Sequence, residues 1–211
     1  MYIDYGNIRV CYDLSNDGYG SAIAPDFYHT ITKHYNKTFE SCLEWCAGPG
    51  FIGFNLLAKG TVKKISFLEI ADSPVKDLRK TAESVSNVNI YQGDELNSIP
   101  AQQFDLIVSN PPHFLTEEES YIENLETRLF VDPEWSIHRN FFNQVSNYLT
   151  DDGIILLIEN KLGSNKKTFE SLLEGTELQI TNTYETARKK YAGAPLYYLE
   201  VRKNDERREI K

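Results

Sequence analysis

Short apolar runs alternate with stretches of helical periodicity along the chain, the pattern of an α/β fold built on a parallel sheet. The clearest runs are FDLIVS (Phe104–Ser109) and GIILLIE (residues 153–159). Continuous apolar strands of this kind have both faces covered by helices. Weaker runs predict strands over residues 41–45, 64–70, 88–91, 178–184 and 196–201. Apolar positions three and four apart predict helices over 25–39, 74–85, 137–149 and 166–173, and one from Phe51 to the C-terminal cap Gly60. Pro25 and Asp26 mark the start of the first helix, and Asp72 reads as the N-cap ahead of Pro74. The expected architecture is α/β: a doubly wound, mostly parallel sheet of about seven strands with an antiparallel C-terminal strand. Ligands of such a sheet bind at the carboxyl ends of its first strands, where the strand order reverses.

Composition narrows the function. The 211 residues are 41% hydrophobic and 25% charged, enough for one domain with a substantial core. Thirty-one acids against 22 Lys and Arg leave a formal net charge of −9. Free nucleic acid is therefore not the expected partner, because phosphate contacts need a basic surface. No apolar run reaches the roughly 20 residues of a membrane helix. The first residues also lack the basic-then-apolar order of a secretory leader. A cytoplasmic protein without membrane contact is expected. Cys11, Cys42 and Cys46 are odd in number and lack zinc-type spacing, so neither a disulfide framework nor a metal is expected.

Chemistry concentrates in two loops. The first, Glu44-Trp45-Cys46-Ala47-Gly48-Pro49-Gly50, joins a strand to a helix, where glycines admit a ligand close to the backbone and the helix start offers free N–H groups. Read literally, Gly48 to Gly53 is also the dinucleotide pattern G-x-G-x-x-G, and Glu69 lies 19 residues past Gly50, placed to hold a ribose diol. A nicotinamide oxidoreductase and an enzyme using another nucleoside cofactor are both compatible with these residues. Glu44 tells them apart, since an acid before the glycines repels a pyrophosphate and attracts an ammonium group. The segment resembles the first motif of the class I S-adenosylmethionine-dependent methyltransferases, with Cys46 where that family usually has glycine. The resemblance implies a Rossmann-like fold and S-adenosyl-L-methionine as cofactor. It implies that Glu44, Cys46, Ala47, Gly48 and Gly50 surround the methionyl part. It implies Glu69, with Ile70 beside it, at the ribose, and Asp94 and Glu95 at the adenine. Asp72 is a rival to Glu69 for the ribose.

The second loop is Ser109-Asn110-Pro111-Pro112-His113-Phe114, directly after a buried strand. Two prolines fix an extended backbone, so the Asn110 amide oxygen and the Pro111 carbonyl can together accept from one NH₂ group. Asn-Pro-Pro-aromatic after strand four resembles methyltransferases acting on planar nitrogens: adenine N6, guanine N2 and the glutamine amide. It implies catalytic roles for Asn110, Pro111, Pro112 and His113, with Asn110 also near the cofactor. His113 either stacks on the acceptor or takes its proton, and Phe114 is an alternative stacking ring.

Downstream, residues 115–134 hold seven acids (Glu117, Glu118, Glu119, Glu123, Glu126, Asp132, Glu134) and one base, Arg128, without strong periodicity. They read either as a negative lid that favours a protein or small cationic acceptor, or as a solvated surface. Trp135 and His138 either line the substrate site or are, respectively, core and surface. The layout is most similar to the small glutamine N5-methyltransferases. It implies residues 1–40 covering the cofactor, 41–202 as the methyltransferase domain and 203–211 as a charged tail. The expected partner is a protein or small-molecule methyl acceptor, with room for a small activating subunit. A non-catalytic cofactor-binding subunit is the remaining alternative.

Overall fold

The computed structural model describes residues 1–116, 129–187 and 194–204. The chain opens with a hairpin, β1 (Tyr2–Tyr5) and β2 (Ile8–Cys11), followed by α1 (Gly20–His34). Strand and helix then alternate: β3 (Cys42–Trp45), α2 (Phe51–Ala58), β4 (Ile65–Glu69), α3 (Asp72–Ala82), β5 (Val88–Gln92) and β6 (Phe104–Ser109). Next come two short strands, β7 (Phe114–Thr116) and β8 (Val131–Pro133), and then α4 (Ser136–Val145). Strand β9 (Leu149–Asn160), α5 (Lys166–Leu173), β10 (Leu178–Glu185) and β11 (Leu196–Lys203) complete the described elements.

Seven strands form one sheet in the order β10-β11-β9-β6-β3-β4-β5, in which β11 runs antiparallel to both its neighbours and the remaining pairs are parallel. Strand order reverses between β3 and β6. The loop after each emerges there side by side, because Trp45 and Ser109 are register partners. The Ser109 hydroxyl also donates to the Trp45 carbonyl at 2.5 Å.

The apolar runs are continuous because successive residues enter different cores. From β9, Ile154, Leu156 and Ile158 join the cluster beneath α1 and α2, while Ile155 and Leu157 join the cluster beneath α4 and α5. From β6, Leu106 and Val108 go one way and Ile107 the other. Each fully buried Leu or Ile contributes about 1.5–3 kcal/mol, so these two strands anchor the fold. Among the described residues no helix is long and apolar enough to cross a membrane.

Several boundaries differ from expectation. Helix α1 runs over Gly20–His34 and not 25–39, with Pro25 in its interior. A proline there cannot donate to the carbonyl four residues back. That carbonyl, of Ser21, instead accepts from the Tyr5 hydroxyl at 3.3 Å. Tyr5 belongs to the hairpin, which residue pattern alone does not reveal. The hairpin is held to α3 by the Cys11 N–H, which donates to Thr81 Oγ1 at 2.9 Å. Its Tyr5, Ile8 and Val10 are buried in the same core as α1 and α2. The segment before β3 is thus continuous with the domain core. Helix α3 begins at Asp72 with Ala71 as its cap residue, so Asp72 is not the N-cap. The Asp72 carboxylate accepts from Gln92 Nε2 at 2.6 Å. The ends of the acidic segment are also not structureless, since β7 and β8 pair in parallel with Phe114 opposite Val131. Glu117, Glu118, Glu119, Glu123, Glu126 and Arg128, and the tail beyond Asn204, lie outside the described residues.

Candidate active site at the carboxyl ends of β3, β4 and β6

The glycine loop turns through three left-handed residues, Cys46 (φ 52°), Gly48 (φ 54°) and Gly50 (φ 82°), before α2 begins at Phe51. At Gly50 a side chain is excluded twice over. Its φ disfavours one, and a Cβ would stand 2.6 Å from Leu78 and 2.8 Å from Phe67. Cys46 takes a conformation that glycine adopts freely, which accounts for the family preference at that position.

Glu44 is not an open anion on the loop. Its side chain turns under α2, where Oε2 accepts from the Gly53 N–H at 2.6 Å, and the residue is only 2% exposed. Glycine is required at 53 for this approach, because a Cβ would stand 2.8 Å from the Glu44 oxygen. Burial pushes the Glu44 carboxyl up to about 8, against the opposing pull of the Gly53 and Ile52 N–H groups. In the structure Glu44 thus ties strand to helix.

Glu69 ends β4 and braces the same loop. Its Oε2 accepts from the Gly48 N–H at 2.8 Å and its Oε1 from the Ala71 N–H at 2.9 Å. Burial raises its pKa, the N–H groups of Ala71, Gly48 and Ile70 oppose the rise, and the net direction is upward. A carboxylate has about four acceptor sites, so capacity remains for a diol. Ile70 is 55% exposed. Past β5, Asp94 and Glu95 line a crevice with Trp45 and Ile137. The segment between β2 and α1 leans over both loops. Asn16 Nδ2 donates to Asp77 and Ser73 of α3, and the Gly18 carbonyl accepts from Asn110 Nδ2 at 3.4 Å.

In the second loop Pro111, Pro112 and His113 are buried. Asn110 Oδ1 is buried and has no hydrogen-bond partner among the described residues. His113 is 8% exposed, and its Nδ1 lies 3.5 Å from Glu159 Oε2. The N–H groups of His113 and Phe114 both donate to the Phe130 carbonyl at 2.9 Å, which fixes the loop's exit. The half-buried Phe114 ring stands perpendicular to His113 at 6.5 Å.

Trp135 is core, packed edge-on to Phe169 at 5.6 Å. His138 is not a surface residue: it is fully buried between two acids, with Nδ1 2.6 Å from Asp132 Oδ2 and Nε2 3.1 Å from Glu159 Oε1. Burial alone lowers an imidazole, but Glu159 and Asp132 outweigh it and bring His138 up to about 9. Asp132 also accepts from the Ile137 and His138 N–H groups, at 2.9 and 3.0 Å, capping α4 from a distance. Sequence reasoning counted Asp132 as part of an acidic surface and passed over Glu159. The available signal was an acid ending an otherwise apolar strand, as Glu44 and Glu69 do.

These raised pKa values set the pH dependence of stability. Glu44 goes from 4.5 unfolded to about 8 folded, and His138 from 6.5 to about 9. Both make the folded state bind more protons, so their contribution is full below the unfolded value and is lost as pH rises through the folded one. Melting temperature should therefore fall from pH 6 to pH 9, as scanning calorimetry would show. Glu44→Gln keeps an oxygen for the Gly53 N–H and should remove part of that slope, on the order of a few kcal/mol. An unchanged slope would mean Glu44 titrates normally.

The methyltransferase small domain family matches residues 27–187. A Methanocaldococcus jannaschii protein provisionally named as a protein N5-glutamine methyltransferase is 30% identical over 137 residues, covering 63% of this chain and 68% of that one. A tRNA1(Val) (adenine(37)-N6)-methyltransferase of Actinobacillus pleuropneumoniae is 32% identical over 122 residues, 55% of this chain and 50% of the relative, so the match takes in half of that relative's length. Among solved structures, the glycopeptide N-methyltransferase MtfA in complex with S-adenosylmethionine superposes with a TM-score of 0.61 over 92% of this chain and 97% of its own. Its identity of 15% makes this a likeness of fold. The family match decides the ambiguity of Gly48 to Gly53 against a nicotinamide cofactor. The chain belongs to the methyltransferase small domain family and is an S-adenosylmethionine-dependent methyltransferase.

Proposed function

We propose that the enzyme methylates a planar nitrogen that carries hydrogens, with the side-chain amide of a protein glutamine as acceptor. The observation that carries this reading is Asn110 Oδ1, a buried acceptor with no partner among the described residues. An unpaired buried acceptor costs about 1–3 kcal/mol, and an incoming NH₂ group would relieve it. The Pro111 carbonyl, beside it on a backbone that two prolines hold extended, supplies a second acceptor for the same group.

The residues present fit the cofactor. Glu69 would hold the ribose diol, Gly48 and Gly50 keep the loop free of side chains for the methionyl part, and Asp94 would meet the adenine amine. When bound, S-adenosylmethionine supplies an activated methyl group. Catalysis by the chain is then mostly positioning, holding the acceptor nitrogen in line and freeing its lone pair through hydrogen bonds.

Charge supports a protein acceptor over a polynucleotide. The chain carries −9, and residues 115–134 alone hold seven acids and one base. At physiological salt, with a Debye length of about 8 Å, acids that follow the second loop so closely in the chain disfavour a polyanion. Asp132 does not add to that field at the surface, because it is fully buried against His138. Tritiated methyl transfer into separated protein, RNA, DNA and metabolite fractions of a cell extract tests the assignment. Label should appear in protein and be recovered as methylglutamine. Label chiefly in RNA or DNA would overturn the acceptor.

A further inference from the structure

Four side chains, one from the second loop and three from separate elements, form a buried chain: His113, Glu159 near the end of β9, His138 of α4 and Asp132 of β8. The links are 3.5, 3.1 and 2.6 Å in that order. Glu159, His138 and Asp132 have no exposed surface, and His113 is 8% exposed. A stacking platform presents an open ring face to its ligand. His113 instead has one edge turned inward to a carboxylate, the arrangement that orients an imidazole by its Nδ1–H.

We propose that His113 takes the proton from the newly methylated nitrogen, and that Glu159, backed by His138 and Asp132, is the positioning residue that fixes the His113 ring for this. The proposal rests on the acceptor slot at Asn110. In the step, the acceptor nitrogen's lone pair forms a bond to the methyl carbon. The carbon–sulfur bond breaks, and its electron pair stays on sulfur. The nitrogen then carries a positive charge and an extra proton, which passes to His113 Nε2, the ring nitrogen not turned toward Glu159. The imidazolium formed is stabilised by the Glu159 carboxylate and releases its proton to water afterwards.

The electrostatics of the chain favour this division of labour. Burial raises the Glu159 carboxyl, but His138 and His113 outweigh it and hold it below the ordinary range, so Glu159 is ionised. His138, at about 9, is charged at neutral pH and donates from both nitrogens, one to each acid. One carboxylate oxygen of Glu159 is thus taken by His138 and the other is directed at His113. Cys46 and Tyr197 also couple to Glu159, but burial pushes both up and away from neutrality, so neither titrates in the working range.

Two measurements test the assignment. Nitrogen-15 imidazole spectra of the intact chain, assigned through single His→Gln variants of its four histidines, should show His113 as the Nδ1–H tautomer and His138 doubly protonated at pH 7.5. His113 as the Nε2–H tautomer would overturn the proposal without any acceptor being needed. Single-turnover transfer to the labelled fraction of the extract assay is the second. His113→Phe keeps a stacking ring but not a base, so the rate should fall by about 10²-fold or more. A wild-type rate in His113→Phe would make the ring a platform and overturn the proposal. Glu159→Gln, checked for folding by its melting curve, keeps an oxygen for His138 but turns an NH₂ toward His113 Nδ1, so the nitrogen-15 spectra should show His113 switched to the Nε2–H tautomer and the transfer rate should fall. An unchanged Nδ1–H tautomer in Glu159→Gln would remove Glu159 from the mechanism. Transfer that survives in Asn110→Ala would instead sink the acceptor slot and leave the tautomer result standing, so the two failures are distinguishable.

Discussion

Asn110→Ala should lose methyl transfer by on the order of 10²–10³-fold, the scale for removing one preorganised hydrogen-bonding group from a reacting centre, while binding S-adenosylhomocysteine as before. The argument is geometric. Asn110 leaves β6 beside the glycine loop, because Ser109 and Trp45 are register partners joined by a side-chain hydrogen bond. Its amide nitrogen lies 3.4 Å from the Gly18 carbonyl, and its oxygen is without a partner among the described residues. The Asn110–Gly18 contact is long at 3.4 Å and its loss should cost little. Calorimetry with S-adenosylhomocysteine and single-turnover transfer separate the two effects. Transfer largely intact in Asn110→Ala would mean that the planar-nitrogen slot is wrongly placed.

Glu69→Ala should weaken S-adenosylhomocysteine binding by about 1.5–3 kcal/mol, roughly tenfold to 150-fold, the scale for losing charge-assisted hydrogen bonds. The structure adds a second reason for the loss. The same substitution strips the acceptor from the Gly48 and Ala71 N–H groups and so loosens the loop itself. Glu69→Gln retains an acceptor oxygen without the charge and should fall between the two. Full-strength binding by Glu69→Ala would place the ribose elsewhere. Asp72, the rival by position, accepts from Gln92, and Asp72→Ala in the same binding measurement should leave the affinity unchanged.

The two candidate loops were legible because their signals are local. Glycines restrict what can follow Trp45, prolines restrict what can follow Asn110, and each pattern sits at the end of an apolar strand. The roles of neighbouring acids were not legible. Glu44 and Glu69 look alike, an acid closing a strand, yet one turns beneath α2 and the other reaches the loop backbone. Which face of the sheet each side chain enters, and what packs over that face, separates them.

The sequence by itself determined the sheet, since only strands covered on both sides carry runs such as FDLIVS, and it determined the two loops at the strand ends. Tertiary structure decided the rest. It extended α1 backward past Pro25, because the hairpin's Tyr5 supplies the hydrogen bond that proline cannot. It took His138 from an expected surface or lining position into the interior, because Asp132 and Glu159 meet it from two other elements. Residues 113, 132, 138 and 159 have no common periodicity along the chain. Both acids meet the buried imidazole from other elements, and that meeting exists only in the folded chain.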